Sequence, residues 1–129
     1  MTLEQAENEL IELKPQPFYV PLGAWAPVVE GAFSGMSTRH WIFAGPRGRI
    51  GATLRGAKPQ RVLEAQNGAK PYKLAPCSHH PARRALHAVG SAISTRQPTL
   101  CILGDAALAC GEFHQALSVS VQYQCPVIF

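Results

Sequence analysis

The feature that most constrains the fold lies near the end of the chain. Leu100 to Leu103 is a short apolar run that reads as a buried strand. Glu112 to Tyr123 reads as a helix, and Pro126 to Phe129 begins a second buried strand. Two strands joined through a helix of this length pair parallel, through a right-handed crossover. Such strands are apolar on both faces because helices cover both sides of the sheet. The expected class is therefore α/β, with a short parallel sheet and flanking helices.

The rest of the chain fits that plan. Leu3, Ala6, Leu10, Ile11 and Leu13 recur at a rough helical period. Pro15, Pro17 and Pro21 then predict an extended linker. Leu22 to Phe33 predicts a second helix, and His40 to Phe43 a short strand. Gly45, Pro46, Gly48 and Gly51 predict a loop, followed by a short helical piece from Ala52 closed by Gly56. Pro59 to Gln66 predicts a helix, Lys70 to Pro81 an irregular loop, and Pro81 to Thr95 a helix with Leu86, Val89 and Ile93 on one face. With 129 residues there is room for one domain with one core. Residues 1–21 form its helix and linker, and 22–129 its body.

Composition narrows the setting. The 47% hydrophobic and 16% charged content excludes a disordered chain. The N-terminal stretch MTLEQAENELIELK is acidic and polar, unlike a signal peptide. No apolar run approaches the roughly 20 residues that span a bilayer. Cys77, Cys101, Cys110 and Cys125 contain no C-x-x-C pair and read as reduced thiols. The expectation is a soluble, cytoplasmic protein. The net charge of +4 is concentrated in the middle, from Arg39 to Arg84, where Glu64 is the lone acid. A basic stretch of this kind suits a phosphate-bearing ligand, a nucleic acid or an acidic partner. Aromatic residues are not interleaved with the arginines, which disfavours nucleic acid.

The chemistry is expected at the turn after the first C-terminal strand, Gly104-Asp105-Ala106-Ala107. Ligands of open parallel sheets bind beyond the carboxyl ends of the strands. Glycine there lets backbone approach a ligand, and the next helix offers its positive end to an anion. An Asp in that place can take Mg²⁺, which bridges diphosphate oxygens. The same Asp could instead simply cap the helix.

Gly104, Asp105, Ala107, Gly111, Phe113, His114, Ala116, Leu117 and Pro126 to Phe129 together resemble the cofactor-binding segment of thiamine-diphosphate-dependent 2-oxo acid dehydrogenase alpha subunits, of the pyruvate and branched-chain type. Leu86 to Ala92 is similar to the helix preceding that segment. Trp41-Ile42-Phe43, Arg47 and Leu54-Arg55-Gly56 match an upstream segment loosely. The resemblance covers about Gly23 to Phe129. It implies a truncated thiamine-diphosphate-binding fold, with thiamine diphosphate and Mg²⁺ as cofactors. It assigns Gly104 and Ala106 to the diphosphate, Asp105 to the metal, and Arg47 to cofactor phosphate; it assigns no catalytic residue. It further implies a beta-type partner subunit and oxidative decarboxylation of a 2-oxo acid, where the cofactor acts as carbanion stabiliser.

The sequence departs from that family at three places. Ala106 replaces a glycine, Pro46 a tyrosine and Arg49 a histidine. The family's second metal ligand, an Asn, falls beyond Phe129. The expectation is therefore a truncated relative that is not catalytic alone. The alternative is a non-catalytic oligomeric binding or assembly module, with the apolar Val127-Ile128-Phe129 end covered by self-association or by further chain. Two other constellations are weaker. Cys77, His79, His80 and His87 fit no standard zinc spacing, and Cys110 with His114 one turn away reads better as helix packing than as a nucleophile and its base.

Overall fold

The computed structural model describes residues 1–13, 21–64, 68–78 and 80–129; the proline linker and the end of the Pro59 helix fall mostly outside them. Helix α1 (Leu3–Glu12) starts at a capping box. The Thr2 hydroxyl accepts the Gln5 N–H at 3.1 Å, and Gln5 Oε1 accepts the Thr2 N–H at 2.9 Å. These bonds satisfy amides that a helix start otherwise leaves open. Leu3, Ala6 and Leu10 form its buried face. A single 3₁₀ turn, Gly23–Trp25, leads into α2 (Ala26–Ser34), with Pro27 in its first turn.

Three strands follow: β1 (Ile42–Phe43), β2 (Thr99–Cys101) and β3 (Val127–Ile128). They lie in the order β1-β2-β3 and all pair parallel. Ile42 stands opposite Leu100, and Thr99 opposite Val127. Successive residues of a strand face opposite sides. Leu100 and Ile102 therefore join one apolar cluster, with Leu3, Leu10, Val29, Phe33 and Ile50. Cys101 joins the other, with Ala85, Ala88, Val89, Phe113 and Ala116. The sheet is thus sandwiched between helices, as the strand–helix–strand reading requires.

The second layer depends on small residues. Helix α5 (Arg83–Thr95) buries Ala85, Ala88 and Ala92, and α7 (Gly111–Gln122) buries Phe113, Ala116 and Ser120. Alanine faces let the two helices and β2 approach closely. Val89 of the expected apolar face is fully buried, while Leu86 and Ile93 pack at the cluster margin.

Three loop expectations need correction. The Gly45–Gly51 segment is helical: α3 (Gly45–Gly48) runs directly into a 3₁₀ stretch, Arg49–Arg55. Its glycines serve close packing rather than a loose loop. A Cβ on Gly51 would overlap the Phe33 ring, and one on Gly48 would lie 3.0 Å from Ile102 Cδ1. Lys70–Pro81 is also ordered in part. Lys70–Tyr72 forms a 3₁₀ turn, and Leu74 extends the sheet beyond β1, where the Ala75 N–H donates to the Ile42 carbonyl at 2.9 Å. The turn after β2 coils into a short helix, α6 (Asp105–Leu108). The remaining element, α4 (Pro59–Glu64), packs on α1 and the Arg49–Arg55 stretch. No described helix is long and apolar enough to cross a membrane.

Candidate functional site

A cavity of about 360 Å³ opens beyond the carboxyl ends of β1 and β2. Gly104 and Asp105 line it from the turn after β2, and Arg47 lines it from α3. The fold therefore brings together three residues from segments almost sixty positions apart. Ala106 is exposed at the start of α6 and is not among the lining residues. Its N–H donates to Asp105 Oδ1 at 2.9 Å, so this carboxylate is turned toward its own helix start.

The cavity also holds a residue that sequence reasoning left within an undivided basic stretch. Arg84, in the first turn of α5, lines it while only 5% exposed. Its Nη1 donates to the Ile102 carbonyl at 2.7 Å, and its Nη2 reaches the Ser78 carbonyl at 3.5 Å. Its Nε has no partner among the described residues. Burial pulls the guanidinium below its ordinary pKa, against a smaller opposing effect of Cys101 and Cys77. Burial pushes the neighbouring Cys101 thiol up to about 12, so this thiol is neutral and no counter-charge. Gly45, at φ +66°, forms the seat: a Cβ there would overlap the guanidinium. The signal in the sequence was slight, a polar residue on the otherwise alanine-rich face of α5.

The basic middle is divided by the fold. Arg49 is 2% exposed and Arg84 nearly as buried, while Arg55 is partly buried and bonded to loop carbonyls. These three arginines are thus largely withdrawn from the surface.

A second, larger cavity of about 730 Å³ adjoins the first through Gly104 and Asp105 and is almost wholly apolar. It lies between α2 and the sheet, with exposed Val28, Leu108, Ile128 and Phe129 at its walls. Trp25 is half-buried, packs against the first apolar cluster and lines both cavities.

The other constellations rearrange. His79 lies outside the described residues, and His80 meets Cys110 and Glu112 instead of Cys77, with the three donor atoms within 4.8 Å of one another. His80 Nδ1 accepts the Arg83 N–H at 3.4 Å, and its Nε2 stands 4.0 Å from Glu112 Oε1. The Cys110 thiol donates to the Ala106 carbonyl at 3.6 Å. All four cysteines are free thiols.

No known protein-family profile matches the chain. It is similar to the 3-methyl-2-oxobutanoate dehydrogenase subunit alpha of Mycobacterium tuberculosis, in two strains, at 28% identity over 141 aligned residues. Each match covers 97% of this chain and 38% of the relative. The chain thus spans less than two fifths of these relatives' length, and the similarity is to part of a 2-oxo acid dehydrogenase alpha subunit.

Proposed function

We propose that the chain is a relative of the alpha subunit of thiamine-diphosphate-dependent 2-oxo acid dehydrogenases, built on that subunit's cofactor segment and not catalytic alone. The observation that carries this is the meeting of Gly104, Asp105 and Arg47 at one cavity beyond the carboxyl ends of two parallel strands. The distant similarity over nearly the whole chain supports it. In this reading the chain is one cytoplasmic domain that works with a beta-type subunit, and 3-methyl-2-oxobutanoate is the first substrate to try.

The family's arrangement would put diphosphate at Gly104, Ala106 and Arg47, and Mg²⁺ on Asp105. The residues present fit the anion and not the cation. Two arginines line the cavity against one carboxylate, which is already bonded to a backbone amide. Among the described residues, Asp105 belongs to no set of three donors close enough to share an ion.

The test is calorimetry with thiamine diphosphate, coupled to turnover of 3-methyl-2-oxobutanoate with an artificial electron acceptor. The expected result is cofactor binding without turnover by the chain alone. Absence of binding would overturn the cofactor reading, and turnover by the chain alone would overturn the non-catalytic part.

The exposed apolar walls of the larger cavity favour a second reading, a non-catalytic module that assembles with further copies of itself. Sedimentation that stays monomeric over a wide concentration range would sink it.

A further inference from the structure

We propose that the smaller cavity binds a phosphoryl anion directly on the buried guanidinium of Arg84, assisted by Arg47 at its mouth, with no bridging divalent cation. The choice of this cavity rests on the structure alone; only the choice of a diphosphate probe rests on the cofactor reading above.

A guanidinium carries five N–H groups in a planar fork. Arg84 engages two of them, one short bond to Ile102 and one long bond to Ser78. Three remain, including the buried Nε–H, without a partner among the described residues. No described carboxylate lies within ion-pair distance of it. A buried charge without an opposite charge is costly, and carbonyl dipoles offset this only in part. Cys101 does not supply the missing charge, because its thiol is protonated at physiological pH. The chain nonetheless holds the guanidinium in place with a glycine seat at Gly45. A cation that lines a cavity and keeps unused N–H groups on Nη1 and Nη2 is matched by an anion that can accept from them.

Charge and shape select the class of anion. Arg47 is exposed and lines the same cavity, so the lining has two cations and one carboxylate. The fork of arginine fits the oxygens of phosphate in a bidentate manner. A divalent ion placed on Asp105 would instead share the cavity with an uncompensated guanidinium. Arg84 therefore takes the charge-neutralising role that a bridging metal has in metal-dependent diphosphate sites.

The experiment is calorimetry of the full chain with sodium pyrophosphate and with sodium phosphate, in EDTA and again with Mg²⁺. Binding is expected in EDTA and unchanged by Mg²⁺. Arg84→Gln should weaken it about 10- to 100-fold, as loss of a charge-assisted hydrogen bond does, and Arg84→Lys should restore part. Arg47→Gln, at an exposed position that leaves folding intact, should weaken it several-fold. Circular dichroism confirms that each variant is folded. If Arg84→Gln does not fold, Arg47→Gln and the EDTA arm decide. Binding that needs Mg²⁺, or that is indifferent to a folded Arg84→Gln variant, overturns the inference and leaves the cofactor reading standing. Pyrophosphate binding in EDTA without any thiamine diphosphate binding overturns the cofactor reading alone. No binding of any probe in either condition overturns both.

Discussion

Arg55 and Arg84 are both arginines withdrawn from water, each with an Nε unpartnered among the described residues, yet their surroundings differ. Arg55 ends the 3₁₀ stretch that follows α3 and donates to three carbonyls, His40, Tyr72 and Ser37, each at 2.9 Å. Its guanidinium also stands 5.4 Å from the centre of the Phe33 ring. The charge is consumed in tying together three loop segments. Arg84 has one short bond and one long one, and it lines a cavity. Desolvation lowers the pKa of both. Burial alone thus does not say what an arginine is for; the number of donors already used, and whether open space adjoins the rest, does.

The sharpest way to break this comparison is to remove each cation. Arg55→Met should cost about 3 kcal/mol in urea denaturation, because it leaves three carbonyls without their donor. Arg84→Met should cost no more than about 1 kcal/mol, since losing the Ile102 bond is offset by removing an uncompensated buried charge. Equal costs, or the reverse order, would make Arg84 a structural tie like Arg55.

A smaller effect should appear in alkali. The Cys101 thiol is raised from 9.0 to about 12 in the folded chain, by burial, with Arg84 opposing. Between those values the unfolded chain loses a proton that the folded chain keeps, so unfolding is favoured as pH rises. The stabilisation is complete below pH 9.0 and is lost as pH climbs through about 12. Cys101→Val should lack this part of the slope when denaturation midpoints are compared across that range. An identical slope in both proteins would contradict the burial of the thiol beside Arg84.

The smallest effect concerns the surface pair next to the Arg84 helix. His80 and Glu112 are each about 40% exposed and 4.0 Å apart. His80→Gln should change thermal stability by less than about 0.5 kcal/mol. A larger loss would mean that His80 supports the cavity rim.

Much of the fold was legible because it is written in local patterns. The run Leu100–Leu103, the helical stretch ending at Tyr123 and the apolar Pro126–Phe129 announced parallel strands, and the structure has them. Glycines misled. Gly48 and Gly51 resembled loop residues but are small because Ile102 and Phe33 press on them from distant segments. Leu74 was missed because one residue pairing with Ile42 has no period to detect. At the site, Gly104, Asp105 and Arg47 could be named in advance, since a strand end and a family resemblance mark them. Arg84 could not. Nothing in Pro81-Ala82-Arg83-Arg84 tells which of two adjacent arginines turns outward and which turns in; only the packing of α5 against β2 decides it.

The seat that Gly45 provides for Arg84 imposes an order on mutation. While the arginine is present, any side chain at 45 collides with it, so Gly45→Ala should be poorly tolerated. Shortening Arg84 first removes the collision and leaves only the backbone cost of a positive φ. The two changes should therefore be non-additive, the double variant being more stable than the single costs predict. Position 45 is therefore easier to fill after the arginine has been shortened than before.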